Sequence, residues 1–215
     1  MSDTPRLLPL LSAIAVITLA FGGGVWMSIH QAARTDGTQV EGLLWPDPPS
    51  LPSFHLMDHQ ERPFTLEQLR GRWSMIFFGF THCPDVCPTT LQTLADADRQ
   101  LRSNPDYAQH GQVVFVSVDP ERDNPNLLKD YVSYFSPEFL GVTGGQEELK
   151  LLARALGVLF MKVEQAGTEY TMDHSAGIFF VSPSGRLVSV MTPPHSSAAV
   201  VGRFQAISRF IADQS

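Results

Sequence analysis

Apolar and polar positions follow one another along the chain in a pattern that predicts strands and helices in succession after residue 52. Residues 73–80 are almost all large and apolar, which is typical of a strand covered on both faces, and residues 113–118 repeat this pattern. Shorter apolar runs predict further strands at 54–57, 140–142, 159–163, 178–181 and 187–190. Helical spacing predicts helices from about residue 88 to 104 and at 127–135, 147–156 and 196–212.

The order of these elements indicates an α/β fold. Strands that alternate with helices are typical of a sheet with helices on both faces. The last two predicted strands are separated by Ser182-Pro183-Ser184-Gly185, a turn sequence that predicts a hairpin. We therefore expect a sheet of mixed strand direction with a late hairpin and a closing C-terminal helix.

The N-terminal part of the chain has a different character. Residues 7–29 contain no charged side chain, and a helix of this length, at about 1.5 Å per residue, can cross a hydrocarbon layer of about 30 Å. The small pair Ala32-Ala33 lacks the A-x-A pattern of a cleavage site, so we predict an uncleaved membrane anchor. Residues 30–52 are rich in proline and predict an extended tether. The expected organisation is a cytoplasmic tail at 1–6, an anchor at 7–29, a tether at 30–52 and a folded domain at 53–215.

The charge balance excludes one class of partner. The chain has a formal net charge of −7, with 15 Lys and Arg against 22 Asp and Glu. Nucleic-acid binding needs a basic stripe that neutralises phosphates, and the sequence has no such stripe, so we expect no nucleic-acid partner. The presence of only 2 cysteines in 215 residues also excludes a disulfide-stabilised scaffold.

Cys83 and Cys87 lie four residues apart, directly after the strand predicted at 73–80. A disulfide that closes so short a loop removes little chain entropy, which makes a purely structural bridge a poor explanation. At the start of a helix, unpaired backbone N–H groups and the helix dipole lower the pKa of a thiol and favour the thiolate. Because thiolates attack disulfides and bind soft metals, the pair predicts thiol exchange or a metal site.

Two thiolates leave a metal under-coordinated, so a metal site needs a further ligand from elsewhere in the chain. The chain has 7 histidines. His174 differs from the others because polar and small residues surround it just before a predicted strand, in a loop that can approach another strand end. His82, beside Cys83, is the first substitute. Spacing alone does not choose among the seven, of which the other five are His30, His55, His59, His110 and His195.

Three segments of the chain resemble the Sco/SenC family. Residues 79–91, Gly-Phe-Thr-His-Cys-Pro-Asp-Val-Cys-Pro-Thr-Thr-Leu, are similar to the signature loop of that family. Residues 118–123, Val-Asp-Pro-Glu-Arg-Asp, are similar to a second family segment, and Asp173-His174-Ser175-Ala176 is similar to the loop that carries a third ligand. The resemblance covers roughly residues 52–211 in matching order, and its first motif is highly specific.

The resemblance implies a thioredoxin-like fold with added strands on a single N-terminal transmembrane helix. It implies that Cys83, Cys87 and His174 bind copper for the assembly of cytochrome c oxidase. Two thiolates and one imidazole form a trigonal set that suits Cu(I), whereas zinc usually takes four ligands. The expected partners are the copper-containing oxidase subunit, a copper donor protein and the inner membrane. The expected location is the bacterial inner membrane, crossed once, with the domain in the periplasm.

Four functions fit the cysteine pair at this point. The leading hypothesis is a metallochaperone, not an enzyme, that delivers copper to an oxidase subunit. The alternative is a thiol–disulfide oxidoreductase that reduces the cysteines of that subunit, although the three-residue spacer and a remote histidine favour a metal site. A thiol peroxidase would need an arginine adjacent to the cysteine, where the sequence offers only Thr81. A copper or redox sensor could use the same site.

Overall fold

The computed structural model describes residues 48–164 and 170–212. A seven-stranded sheet forms the centre, and two further strands form a separate ribbon. The strands are β1 (His55–Asp58), β2 (Pro63–Thr65), β3 (Trp73–Gly79), β4 (Gly111–Ser117), β5 (Leu140–Thr143), β6 (Phe160–Glu164), β7 (Tyr170–His174), β8 (Ile178–Val181) and β9 (Leu187–Met191). The helices are α1 (Val86–Leu101), α2 (Pro105–Ala108), α3 (Pro125–Phe135), α4 (Gln146–Leu156) and α5 (Ser197–Ala212).

The central sheet has mixed strand direction, with its parallel part in the middle. The strand order is β2-β1-β5-β4-β3-β8-β9. Strands β3, β4 and β5 are parallel neighbours, while β1 and β2 on one side and β8 and β9 on the other join antiparallel. Gly79 and Ser117, the last residues of β3 and β4, are partners in register. The loops that follow these two strands therefore leave the sheet side by side.

The interior of the domain is built around the two central strands. Every residue of β3 and of β4 is buried. Because successive side chains of a strand point to opposite faces, both faces of the sheet are covered at this point. Phe78 and Phe179 pack edge to face, with ring centroids 6.0 Å apart. The doubly covered strand predicted at 73–80 is confirmed, and it ends one residue earlier.

Local sequence explains how the helices begin and how they pack. Asn124 caps α3 by accepting a hydrogen bond from the backbone N–H of Leu127 at 3.0 Å, and Pro125 occupies its first position. The helix therefore begins two residues earlier than its apolar spacing indicated. Helix α1 buries one stripe that includes Leu91 and Leu94, and it packs against α5.

Strands β6 and β7 form an antiparallel ribbon apart from the central sheet, with Phe160 opposite His174. The sequence predicted a strand at 159–163 but placed His174 in a loop. In the structure His174 is the last residue of β7. Four of the five residues of β6 are exposed. In β7 only Met172 is buried, so this second strand lacks the hydrophobic alternation from which it could be recognised.

The chain packs against the domain before residue 53. The backbone N–H of Leu51 donates to the carbonyl of Gly185 at 3.1 Å, and the Leu51 side chain is buried. Ser50 forms an isolated antiparallel bridge with Arg186. Residues 50 and 51, which the sequence analysis assigned to the tether, thus lie against the turn between β8 and β9.

The predicted single-pass location in a bacterial inner membrane is wrong on this structure. Among the helices formed by residues 48–164 and 170–212, none combines the length and the apolar character that crossing a membrane requires. The two longest, α1 and α5, have 16 residues each, whereas a spanning helix needs about 20. The segments predicted as tail and anchor, 1–6 and 7–29, lie outside the described residues.

The burial of His59 makes the stability of the domain sensitive to acid. The His59 side chain accepts a hydrogen bond at Nδ1 from the N–H of Gly141 at 3.0 Å, and the residue is 7% exposed. Burial lowers the pKa of His59 and outweighs the opposing attraction of Asp58. The unfolded chain therefore takes up a proton at His59 before the folded chain does. The free energy of unfolding should fall as the pH drops below about 6.5, the ordinary pKa of histidine.

Urea unfolding at a series of pH values between about 7.5 and 5 measures this effect, and one proton contributes at most about 1.4 kcal/mol per pH unit. His59→Asn keeps an acceptor near the position of Nδ1 but does not titrate, so its stability should depend less on pH. His110→Asn, the same substitution at an exposed histidine, is the matched control with which the slope of His59→Asn is compared. Equal slopes in the wild type and in His59→Asn would contradict the prediction.

Candidate metal centre

The two cysteines lie where β3 passes into α1. Cys87 is in the first turn of α1 and is fully buried, whereas Cys83, in the preceding loop, is partly exposed. The backbone N–H of Cys87 donates to Sγ of Cys83 at 3.4 Å. Asp85, at the N-cap position, makes no side-chain capping bond. The sulfur of Cys83 therefore accepts one of the first-turn N–H groups that a capping side chain would otherwise satisfy.

The two thiols have opposite pKa shifts. The hydrogen bond with Cys87 is the largest influence on Cys83 and lowers the pKa of Cys83 to about 4 in spite of burial. The same bond and burial raise the pKa of Cys87. At neutral pH the metal-free pair therefore holds one thiolate, on Cys83, and one thiol, on Cys87.

Gly79 allows the sulfur of Cys87 to approach the end of β3. A Cβ atom added to Gly79 would lie 2.8 Å from Sγ of Cys87 and 2.7 Å from Cε2 of Phe115. Both distances are shorter than any side chain can accept, and both neighbours are buried. The glycine is needed here because of this close approach and not because of its backbone angles.

His174 enters the site from the ribbon. Its Nε2 lies 3.5 Å from Sγ of Cys87, and its Nδ1 lies 3.1 Å from the carbonyl oxygen of Ser175. Because a carbonyl only accepts, the proton belongs on Nδ1 and the lone pair of Nε2 faces the sulfur. The rings of Phe77 and Phe80 meet the imidazole edge to face, at 6.3 and 5.9 Å between centroids. These contacts fix the orientation of the ring.

The ligand atoms of Cys83, Cys87 and His174 all lie within 4.8 Å of one another. Within residues 48–164 and 170–212 this is the one group of three or more His, Cys, Asp or Glu side chains close enough to share a metal ion. Two sulfurs and one imidazole nitrogen are soft to intermediate donors, which suit copper better than magnesium or calcium. Three donors also leave a position at which another ligand can bind.

The other histidines that the sequence offered do not join this group. His82 is half exposed, and its Nδ1 pairs with Oγ1 of Thr81 at 3.0 Å. His59 is bound to Gly141, and Nε2 of His195 bonds the carbonyl of Ala176 at 2.8 Å. His55 and His110 are exposed elsewhere, and His30 lies outside the described residues. The structure thus brings together the three residues selected from the sequence and leaves the first substitute, His82, outside.

Sequence reasoning gave no role to Asp123, although it lies in one of the segments that carried the family resemblance. Asp123 is fully buried below the cysteine loop. Its Oδ2 accepts hydrogen bonds from the N–H of Thr81 at 2.9 Å and from Oγ of Ser117 at 2.6 Å, and its Oδ1 accepts one from Oγ1 of Thr81 at 2.5 Å. These bonds hold the start of the cysteine loop on the end of β4. Its place at the end of the segment Asp119-Pro120-Glu121-Arg122-Asp123 marked it as a candidate, but the sequence could not identify its hydrogen-bond partners.

Comparison with known proteins gives consistent matches. The profile of the family described as SCO1/SenC matches residues 47–209. A protein of Stutzerimonas stutzeri that is named as copper-binding is 40% identical over 149 residues, which are 69% of this chain and 72% of that protein. The crystal structure of Arabidopsis thaliana ScoI with copper bound has a TM-score of 0.69 and 34% identity, and the match covers 75% of this chain and 99% of that one.

A further solved structure comes from a metal-free relative. Apo Sco1 of Thermus thermophilus has a TM-score of 0.68 and 39% identity, over 80% of this chain and 95% of that one. The mixed α/β fold described above is therefore the fold of these proteins, and the thioredoxin-like fold predicted from the sequence is confirmed for the described residues.

Proposed function

The chain belongs to the SCO1/SenC family, and from this premise we propose that it is a copper metallochaperone in the assembly of cytochrome c oxidase. Copper would be bound by Cys83, Cys87 and His174 and passed to the copper-containing subunit of the oxidase, after loading by a separate copper donor protein. The single observation that carries the proposal is the meeting of these three side chains within 4.8 Å, where β3 passes into α1.

The properties of the three side chains support copper as the cargo. Cu(I) is a soft ion that accepts two or three ligands, and two thiolates with one imidazole satisfy it. A structural zinc site normally has four protein ligands, and the chain has no third cysteine. Relatives of this chain are named for copper binding or were solved with copper bound.

The arrangement of the site also supports release of the cargo. Cys83 already carries a thiolate when metal-free, so the first bond to Cu(I) forms there without loss of a proton. Binding at Cys87 requires its thiol proton to leave. Nε2 of His174, 3.5 Å from this sulfur, is positioned to accept the proton, which must then pass to solvent before Nε2 binds the metal. A trigonal ion then has an open side for a sulfur of the acceptor.

One observation favours a second candidate, a thiol–disulfide oxidoreductase. A partly exposed thiolate beside a buried thiol is the arrangement that attacks and then resolves a mixed disulfide. In that reaction Cys83 and Cys87 become a disulfide and the disulfide of the acceptor becomes two thiols. Two electrons move to the acceptor together with the proton of Cys87, and solvent supplies the second proton. In this exchange His174 would act only as a base for the Cys87 proton, whereas in a metal site its Nε2 supplies a third ligand beside the two sulfurs, which favours the metal site.

Transfer to the purified copper-binding domain of the oxidase subunit tests the proposal. The full chain, reduced and loaded with one Cu(I) per chain, should pass its copper to an acceptor whose thiols are already reduced, in a mixture with a Cu(I) chelator that reports free copper. The same acceptor in its disulfide form is given to the copper-free reduced chain in parallel. If the chain reduced the disulfide acceptor but passed no copper to the reduced acceptor, the metallochaperone proposal would be wrong and the oxidoreductase function would take its place.

A further inference from the structure

We infer that Arg122 and Tyr170 are positioning residues, which hold the β6–β7 ribbon so that His174 stays over the two cysteines. The inference rests on the proposed function, because it concerns how the histidine ligand is kept in place. The segment 119–123, between β4 and α3, touches both halves of the site. We call this segment the bracket.

One end of the bracket is attached to the cysteine side. Asp123 accepts the hydrogen bonds from Thr81 and Ser117 described above, and Thr81 is two residues before Cys83. The N–H of Asp123 donates to the carbonyl of Asp119 at 2.9 Å, so the bracket is itself a closed turn. The position of the bracket is therefore fixed relative to the cysteine loop.

The other end of the bracket is attached to the ribbon. Nη1 of Arg122 donates to the carbonyl of Tyr170 at 3.0 Å, while its Nε pairs with Oδ2 of Asp119 at 2.5 Å. The guanidinium lies over the ring of Tyr170, with its central carbon 3.8 Å from the ring centroid. The hydroxyl of Tyr170 donates back to Oδ1 of Asp119 at 2.8 Å. The two side chains thus contact each other and share one buried carboxylate.

A second cation covers the opposite side of this contact. Nζ of Lys162, on β6, lies 3.8 Å from the centroid of the Tyr170 ring and 2.8 Å from a carboxylate oxygen of Glu121. The aromatic ring therefore interacts with two cations, Arg122 from the bracket and Lys162 from β6. Both strands of the ribbon are tied to the bracket, β7 through Tyr170 and β6 through Lys162.

These contacts matter because, within the described part of the chain, neither strand of the ribbon pairs with a strand of the central sheet. Apart from His174, the polar contacts that link the described part of the ribbon to the sheet domain go to residues 119–122. Tyr170 and His174 are the first and last residues of the same strand. Release of Tyr170 would therefore let the strand move and carry the imidazole away, while the two sulfurs stay on β3 and α1.

A comparison of Cu(I) and Cu(II) binding distinguishes a positioning role from a general effect on folding, since a folding defect would weaken the binding of both ions. Cu(I) tolerates linear coordination by two thiolates, whereas Cu(II) prefers additional nitrogen. In the full chain, Arg122→Gln and Tyr170→Leu should weaken the thiolate-to-Cu(II) charge-transfer band and lower Cu(II) affinity by about 10- to 100-fold, the usual effect of an outer-shell partner. Cu(I) affinity should change by less than about threefold. His174→Ala supplies the reference spectrum for complete loss of the imidazole.

Matched variants control for the loss of an arginine and of a tyrosine elsewhere. Arg99→Gln removes an exposed ion pair with Asp96, and Tyr134→Leu removes an 83% exposed ring; both should retain wild-type copper binding. Tyr170→Phe keeps the ring between its two cations and loses only the hydroxyl bond, so its Cu(II) affinity should fall less than that of Tyr170→Leu.

Amide hydrogen exchange of residues 160–164 and 170–174, without copper, is the independent measurement. Exchange in the ribbon should be at least about tenfold faster in Arg122→Gln and Tyr170→Leu than in wild type, with β3 and β4 unchanged. A wild-type Cu(II) spectrum in both variants, or equal losses of Cu(I) and Cu(II), would overturn the positioning role. If the wild type itself bound no copper, the proposed function would fail, and the exchange rates would still decide whether the bracket holds the ribbon.

Discussion

Replacement of Cys83 or Cys87 by alanine is expected to abolish tight Cu(I) binding by the reduced full chain. Each substitution leaves one sulfur and one imidazole, since the chain has 2 cysteines in all. We expect affinity to fall by well over the 10- to 100-fold that loss of an outer-shell partner costs, on the order of 1,000-fold or more. Competition with a Cu(I) chelator of known affinity, at fixed thiol reduction, measures the change.

The two cysteine variants need different controls because the sulfurs differ in burial. Cys87 is fully buried, so Cys87→Ser, which nearly keeps the volume, should accompany Cys87→Ala. Thr89→Ala, on the exposed side of the same helical turn, should bind Cu(I) like the wild type. Thermal unfolding followed by circular dichroism separates loss of a ligand from loss of the fold. Unchanged Cu(I) affinity in a folded Cys83→Ala or Cys87→Ala variant would remove the proposed site.

Gly79→Ala is expected to damage the site without removing any ligand. The added methyl group would lie 2.7 Å from the ring of Phe115 and 2.8 Å from Sγ of Cys87, and both residues are fully buried. Excess volume in a packed interior typically costs about 1–3 kcal/mol. The sulfur and the ring must both move to relieve the overlap. We therefore expect lower stability together with a fall in Cu(I) affinity of about 10-fold or more, since the geometry of the ligands is changed.

Gly202→Ala is the matched control for this substitution. A Cβ atom at Gly202 meets nothing within 4 Å. In the interior of α5, alanine should stabilise the helix by up to about 1 kcal/mol and leave copper binding unchanged. Urea unfolding and chelator competition, applied to both variants, test the pair. Wild-type affinity and stability in Gly79→Ala would show that the space beside Cys87 is not restricted.

The central sheet was predictable because its strands are buried on both faces. The run at 73–80 is large and apolar apart from Ser74 and Gly79, and the structure gives β3 at Trp73–Gly79. The turn Ser182-Pro183-Ser184-Gly185 likewise predicted the β8–β9 hairpin, which is present with Gly185 at φ 75°. Where burial or turn geometry restricts the residue types, the sequence pattern is sufficient to predict the strand or the turn.

The ribbon was not predictable in full because β6 is mostly exposed and β7 buries only Met172. Met161, Lys162 and Val163 each expose more than a third of their surface to solvent. The residue types of β6 therefore do not reflect a single packed face. Nothing in a period-two pattern tells which sheet a strand joins, and β6 pairs with β7 alone. His174 was chosen from its sequence neighbours and from the resemblance; its position at a strand end follows from tertiary contacts that spacing does not encode.

The contacts of the bracket were beyond sequence reasoning for a related reason. Arg122 and Tyr170 are 48 positions apart, and their interaction depends on where the ribbon lies. A charged residue in a loop is ordinarily a solvated side chain, and only burial of its partner, Asp119, distinguishes this one. Polar pairs so far apart in sequence produce no periodic pattern of residue types, so a single sequence does not show which residues are partners.

Because the two sulfurs differ in burial, the site has a solvent-facing side, called the front here, at Cys83 and a buried side at Cys87. Cys87 belongs to the core of the domain, while Cys83 is only packed against it. A thiolate that arrives from solvent has to approach copper from the front, beside Cys83. In the proposed transfer, exchange of ligands would follow a set order, in which the bond to Cys83 is displaced first and the bond to Cys87 breaks last. Copper passed in this order to an acceptor with two thiolates would keep two sulfur bonds at every step, provided that the second acceptor sulfur binds before Cys87 leaves. No free copper ion would then be released on the way.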